Sequence, residues 1–275
     1  MNIVSNKGVT FLTFDLLEKA GVKHCFSTRI GGVSEGCFES MNLGFGRGDS
    51  DENVRKNFEL MADALEVDVN KMCLSQQTHT TNVRVITEQD AGNGIIRPLP
   101  YTDVDGMVTN VKEITLVTFY ADCIPLYFYD PEHEAIGLSH GGWRGTVGKI
   151  GKNTIEIMAR TYGTNPSRLI CGIGPGVGGE CYEVSGEVVE KFREAFGEKT
   201  LADNNIVRSS TINPDNPDKY MLDLKNANRL VFEEAGVRRE NIEISEFCTH
   251  CDAKLFYSHR IMGADRGSLA AFMRL

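Results

Sequence analysis

The chain has 275 residues, 41% hydrophobic and 24% charged, with a formal net charge of −9; this suits one folded domain spanning 1–275 with a core of its own. No apolar run approaches the roughly 18 residues of a membrane span, and Met1 to Lys7 lacks a basic stretch leading into an apolar core. The acidic balance argues against the basic patches that bind nucleic acid, so the expectation is a cytoplasmic protein that handles a small molecule.

In chain order, His24–Thr28 is the first strand candidate. A helix follows Asp49, with Val54, Phe58, Met61 and Leu65 on one face. His79 lies in Ser75-Gln76-Gln77-Thr78-His79, ahead of a strand at Val83–Thr87. Asp103 and Asp105 flank Val104 before the strand-like Met107–Asn110. Three strand candidates come next: Ile114–Tyr120, Pro125–Tyr129 and Ala135–Ser139, with Ala121-Asp122-Cys123 at the first turn. Their connections are too short for helical crossovers, which predicts antiparallel hairpins.

His140 runs into Gly141-Gly142-Trp143-Arg144-Gly145, where a second helix begins. It carries Val147, Ile150, Ile157 and Met158, and Gly163 and Pro166 stop it. Leu169–Gly172 reads as a strand, followed by the turn Gly174-Pro175-Gly176-Val177-Gly178-Gly179. A third helix takes Ser185 as N-cap and holds Val188, Val189, Phe192 and Phe196. Ala202 to Lys219 is loop-like; a fourth helix with Leu224, Ala227, Leu230 and Val231 ends at Gly236. Ile242–Ser245 and Leu255–Ser258 are the last strand candidates. Short connections and hairpins together predict a mixed α+β sandwich rather than a doubly wound parallel sheet.

His79, Cys123 and His140 all sit at strand ends or turns. Hairpin pairing brings Cys123 towards His140, and His79 must arrive from elsewhere in the fold. Two imidazoles and one thiolate suit zinc, and three protein ligands leave a fourth position for water or substrate. The bland alternative is a solvated strand-end His and an inert turn Cys. Asp105 and Asp122 are placed to orient an imidazole or to act as acid or base, although carboxylates are common in surface turns.

The remaining motifs stay open. The eight cysteines read as reduced thiols. Cys248-Thr249-His250-Cys251 has the spacing of zinc or redox chemistry, but no second C-x-x-C exists to close a structural site, which leaves a local role. The glycine turn after His140 is either an anion site at a helix start, helped by Arg144, or a tight turn with Trp143 packed in the core. Gly174 to Gly179 lacks the Gly-Lys-Ser/Thr ending of a P-loop. It reads equally as a pocket loop or a plain connection.

Taken together, the motifs resemble those of the YfiH/YlmD family, also called the multicopper-polyphenol-oxidase-like or laccase-domain family. The likeness covers nearly the whole chain. It runs through Phe26-Ser27-Thr28-Arg29, Gly31-Gly32-Val33-Ser34, Met41-Asn42-Leu43-Gly44, Gln77-Thr78-His79 and Asp105-Gly106. It continues in Ala121-Asp122-Cys123-Ile124-Pro125, His140-Gly141-Gly142-Trp143-Arg144-Gly145, Gly174-Pro175 and Cys181-Tyr182-Glu183-Val184. Cys248-Thr249, Phe256-Tyr257-Ser258-His259-Arg260 and Asp265-Arg266-Gly267 complete it.

The resemblance implies a single-domain α/β/β/α sandwich and a metal, zinc with copper as the alternative, held by His79, Cys123 and His140. It implies phosphorolysis of adenosine, inosine and S-methyl-5′-thioadenosine, with adenosine deamination beside it. The partners are then purine nucleosides and phosphate, with no nucleic acid, membrane or obligate protein partner. The expected substrate-binding set is Arg29, Gln77, Asp105, Asp122, Arg144 and Arg266, with the phosphate-holding arginine open among Arg29, Arg144 and Arg266. Three positions depart from the family pattern: Gly141 for a frequent Ala, His259 for a frequent Tyr, and Arg47 where a His-containing sequence is common. The same trio also supports a cysteine hydrolase with Cys123 as nucleophile and His140 as base. Copper oxidase chemistry needs more imidazoles than the six histidines here supply. A nucleoside-sensing module without catalysis is the non-enzymatic reading.

Overall fold

Thr115–Tyr120 shows how the layers arise, because its side chains alternate between two buried faces. Leu116 and Tyr120 enter one core, and Val117 enters another. In the computed structural model, which describes residues 1–275, two six-stranded sheets face each other. The first sheet has the spatial order Asn2–Asn6, Val9–Thr13, Lys23–Ser27, Leu269–Arg274, Thr115–Tyr120, Met72–Leu74. The second has the order Ile242–Ile244, Ile170–Ile173, Ile124–Asp130, Ala135–Gly141, Gly106–Thr109, Val83–Val85. Pairing is mainly antiparallel, with parallel partners at Met72–Leu74, Ile242–Ile244 and Val83–Val85.

Three apolar clusters fill the spaces between four layers. Phe26, Leu116, Tyr127, Leu138 and Ala271 pack between the sheets. Val54, Phe58 and Met61 of the helix Asp51–Leu65 pack on Cys25, Val117 and Phe272 of the first sheet. Leu126, Phe128 and Ile173 of the second sheet meet Ile150, Ile155 and Met158 of the helix Ile150–Tyr162. Ala227 and Phe232 of the helix Leu224–Glu234 join the same cluster. This is the expected mixed α/β/β/α sandwich. A three-stranded sheet of Glu183–Ser185, Lys219–Leu222 and Val207–Ser209 lies outside it. No helix is long and apolar enough to cross a membrane.

Local signals account for the helix ends. The Ser50 hydroxyl accepts the Asn53 N–H at 3.1 Å, and the Asp223 carboxylate accepts the Asn226 N–H at 3.0 Å; each satisfies an N–H with no partner inside its helix. Gly163, at φ 82°, ends Ile150–Tyr162 in the left-handed conformation that glycine adopts without a Cβ clash.

Four expectations need correction, the first of them the loop Ala202 to Lys219, which contains the strand Val207–Ser209. Thr115–Tyr120 and Ile124–Asp130 do not form a hairpin; they belong to different sheets. The chain crosses between them at Ala121–Cys123, with Asp122 at φ 84°. The Asp122 carboxylate fixes this crossing by accepting the Thr249 hydroxyl at 2.6 Å and the Arg260 N–H at 2.7 Å. The next hairpin forms as expected, from Ile124↔Gly141 to Asp130↔Ala135. The helix after His140 is two pieces, Trp143–Val147 and Ile150–Tyr162, broken where Lys149 takes φ 57°. Leu255–Ser258 is not a strand, although Phe256 and Tyr257 are buried in the inter-sheet core. Leu269–Arg274, near the centre of the first sheet, gives a weak strand signal because Ala270 and Ala271 have low β propensity.

Candidate metal centre

Asp105 precedes the strand Gly106–Thr109 and is fully buried. One carboxylate oxygen accepts the His140 Nδ1–H at 2.9 Å and the His79 backbone N–H at 3.0 Å. The other accepts the N–H groups of Thr78 at 3.1 Å and Thr80 at 2.9 Å, and the Thr80 hydroxyl at 2.8 Å. One side chain therefore holds the loop that carries His79, which sits at φ 66°, against the strand end that carries His140. The bond to Nδ1 fixes the His140 ring and leaves Nε2 for a ligand.

Cys123 comes off the crossing between the sheets, and its Sγ lies 3.8 Å from His79 Nε2. The His79 and His140 rings are 4.8 Å apart at 73°. The ligand atoms of His79, Cys123 and His140 all lie within 4.8 Å of one another. Burial opposes ionisation of Cys123, but the His140 and His79 imidazoles outweigh it and hold the thiol down at about 6. Burial likewise disfavours charge on His140, yet the Cys123 sulfur and the Asp105 carboxylate raise it to about 9. Burial pushes Asp105 up, and the bonds from His140 and Thr80 more than reverse this, to about 2. A thiolate and an imidazole oriented by a carboxylate are the donor set of a zinc-type ion. Such an ion takes the place of protons the ligands otherwise hold.

Gly142 leaves room beside these side chains. A Cβ there would lie 2.8 Å from His79 Cδ2 and 3.2 Å from Cys123 Sγ. Gly142→Ala is therefore expected to weaken zinc binding by about tenfold or more. Competition with a chromogenic chelator measures this, and an unchanged affinity contradicts it.

The trio lies on the wall of a cavity of about 740 Å³. Of the other residues singled out in the sequence, Gln77 and Arg266 also line it. The Gln77 amide is occupied: it accepts the Phe119 N–H at 2.6 Å and donates to the Phe119 carbonyl at 2.8 Å. Arg29 lies elsewhere, donating to the Glu39 carbonyl at 2.8 Å and covering the Tyr257 ring at 4.8 Å. Arg144 is exposed and stacks on Trp143 at 4.3 Å, away from the cavity lining. Asp105 and Asp122 are buried behind the wall, their carboxylates engaged as described. The cavity also takes Phe45, Arg55, Phe119 and His259 from separate segments. Nothing in the local sequence marks Phe45, Arg55 or Phe119, because they meet only through the folding of the layers; His259 is one of the three departures from the family pattern.

Residues 23–275 match the family described as multi-copper polyphenol oxidoreductase laccase. The chain belongs to this family. Among relatives of this laccase-like family member, the purine nucleoside phosphorylase YlmD of Bacillus subtilis strain 168 is 36% identical, over 90% of this chain and 86% of its own. The adenosine deaminase RL5, from an unknown prokaryotic organism, is 33% identical over 88% of this chain and 90% of its own. Among solved structures, the hypothetical protein YfiH of Bacillus licheniformis superposes with a TM-score of 0.90 at 31% identity, covering 99% of this chain and 98% of that one. YlmD of Geobacillus stearothermophilus gives 0.89 at 33% identity, with 98% and 97% covered.

Proposed function

We propose that this protein is a zinc-dependent purine nucleoside phosphorylase. It splits adenosine and inosine into base and ribose 1-phosphate, and S-methyl-5′-thioadenosine into adenine and 5-methylthioribose 1-phosphate, with adenosine deamination as a side activity. The observation that carries the reading is the convergence of His79, Cys123 and His140 on a cavity that also contains a buried, incompletely paired arginine. Its volume of about 740 Å³ is within the usual range for small-molecule sites. Support also comes from relatives named purine nucleoside phosphorylase and adenosine deaminase.

In phosphorolysis, a phosphate oxygen bonds to the ribose C1′ as the bond from C1′ to the purine nitrogen breaks. The electron pair leaves with the purine, which takes up a proton. We assign phosphate binding to Arg266. It is 9% exposed, its Nη1 donates to the Gly267 carbonyl at 3.0 Å, and its Nε has no partner. Burial lowers its pKa to about 10, with Arg47 adding repulsion. A buried cation with a spare donor and a second cation nearby favours an anion between them. A zinc ion on His79, Cys123 and His140 supplies Lewis acidity at the cavity wall. Asp105 keeps the His140 imidazole and the loop carrying His79 in place, and Phe45 and Phe119 offer apolar faces to a purine ring.

Incubation of the zinc-loaded protein with inosine and phosphate is expected to release hypoxanthine and ribose 1-phosphate. A zinc-loaded protein that turns over no purine nucleoside rules the reading out. Arg266→Met is expected to raise the KM for phosphate by about tenfold, or about 1.4 kcal/mol, with zinc content unchanged. An unaltered phosphate KM removes Arg266 from this role.

The lowered Cys123 thiol beside His140 and Asp105 favours a second reading, a cysteine hydrolase. Alkylation separates the two. Zinc on the sulfur protects Cys123 from iodoacetamide, whereas a free nucleophile is labelled in the zinc-loaded protein.

A further inference from the structure

The motif Cys248-Thr249-His250-Cys251 has no role in the cavity, yet the fold gives it what its spacing lacked. The third thiol comes from Cys181, distant in sequence. Its Sγ lies 3.4 Å from the Cys251 Sγ. Cys181, His250 and Cys251 present ligand atoms within 4.8 Å of one another, and the Cys248 sulfur, outside that group of three, interacts with the Cys181 and Cys251 thiols. All these cysteines are free thiols. The separation of 3.4 Å is far longer than a disulfide bond of about 2.05 Å. It approaches the spacing of about 3.8 Å that two sulfurs take at two corners of a tetrahedron with zinc–sulfur bonds of about 2.3 Å.

A second observation concerns the charge on Cys248. The Gly178 N–H donates to its sulfur at 3.1 Å. A backbone N–H aimed at the first sulfur of a C-x-x-C turn favours a thiolate, the form in which cysteine binds metal. A Cβ on Gly178 would lie 3.2 Å from the sulfur and crowd this approach.

We infer that Cys181, Cys248, Cys251 and His250 form a second zinc site, structural and closed, separate from the His79–Cys123–His140 centre. Three thiolates and one imidazole make a complete tetrahedral set, which leaves no position for substrate. Binding expels the protons held by the Cys181 and Cys251 thiols. The ion ties the irregular turn after Gly174 to the turn at Cys248, which otherwise share a bridge at Gly176 and the Thr249 N–H bond to the Gly176 carbonyl at 3.1 Å. Thr249 also donates to Asp122, the residue before Cys123. The second site therefore steadies the crossing that presents the catalytic thiolate.

Native mass spectrometry of the full chain, purified with reductant and loaded with zinc, tests this without reference to turnover. Two zinc ions per chain are expected. C123S/H140A and C181S/C251S are each expected to keep one, with circular dichroism checking the fold; Cys251→Ser alone is the milder substitute if the second pair unfolds. Cobalt loaded into C123S/H140A is expected to give an intense sulfur-to-cobalt charge-transfer band, because its remaining site is rich in thiolate. The inference is overturned if C181S/C251S, or Cys251→Ser alone, retains as much metal as the unmodified chain. It is also overturned if C123S/H140A holds none, or if reduced protein carries a Cys181–Cys251 disulfide, 2 Da lighter, in place of the second ion. Loss of nucleoside cleavage with both ions present would instead refute the phosphorylase reading.

Discussion

Cys123→Ser is expected to lower kcat/KM for inosine phosphorolysis by about a thousandfold or more, equivalent to about 4 kcal/mol, and to release the zinc of the trio. The exchange is nearly isosteric, and Cys123 is only partly buried, so the fold survives. The chemistry does not. The thiol at this position ionises at about 6, whereas a serine hydroxyl remains protonated and offers a weak neutral donor. His79 and His140 alone then make an incomplete set for zinc. Zinc content, phosphorolysis rate and the thermal unfolding curve of the same preparation measure the three consequences together. A variant that retains zinc fully but has lost all activity points to a nucleophilic role for Cys123. A variant with normal activity excludes the trio from the reaction.

Asp105→Asn is expected to combine a stability loss with a metal-affinity loss. Asp105 accepts bonds from the His140 ring, the Thr78, His79 and Thr80 N–H groups and the Thr80 hydroxyl. An asparagine presents one oxygen to these donors and turns an NH₂ group towards the rest. Buried donors then face a donor, and unmade buried bonds to a charged group cost several kcal/mol. We expect a loss of about 3–5 kcal/mol in unfolding free energy and about 10- to 100-fold in zinc affinity, the usual effect of removing a group that orients a ligand. Urea unfolding and chelator competition read the two quantities separately. Wild-type zinc affinity in a destabilised variant would show that Asp105 supports the fold without setting the trio.

Part of this molecule is legible without coordinates. The faces of the helices Asp51–Leu65, Gly186–Phe196 and Leu224–Glu234 follow from apolar spacing over several turns, a local property. The hairpin from Ile124 to Gly141 agrees with a connection too short for a helical crossover. The residue types for a zinc-type site are visible as His79, Cys123 and His140, because two imidazoles and a thiolate suit that ion wherever they meet.

What tertiary structure decided is which of these groups meet. Asp122 routes the chain from one sheet to the other where sequence proximity predicts a hairpin, because its carboxylate is held by Thr249 and Arg260, more than a hundred residues away. Asp105 looks like one more turn carboxylate until five donors from two segments converge on it. Arg29, Arg144 and Arg266 are equal candidates in the sequence, and only the packing puts Arg266 in the cavity. Cys181 comes within reach of Cys251 in the same way. Periodicity and residue chemistry act over a few residues and can be read along the chain; burial, convergence and the loss of water depend on which distant segments share a layer, and that is set by the folded whole.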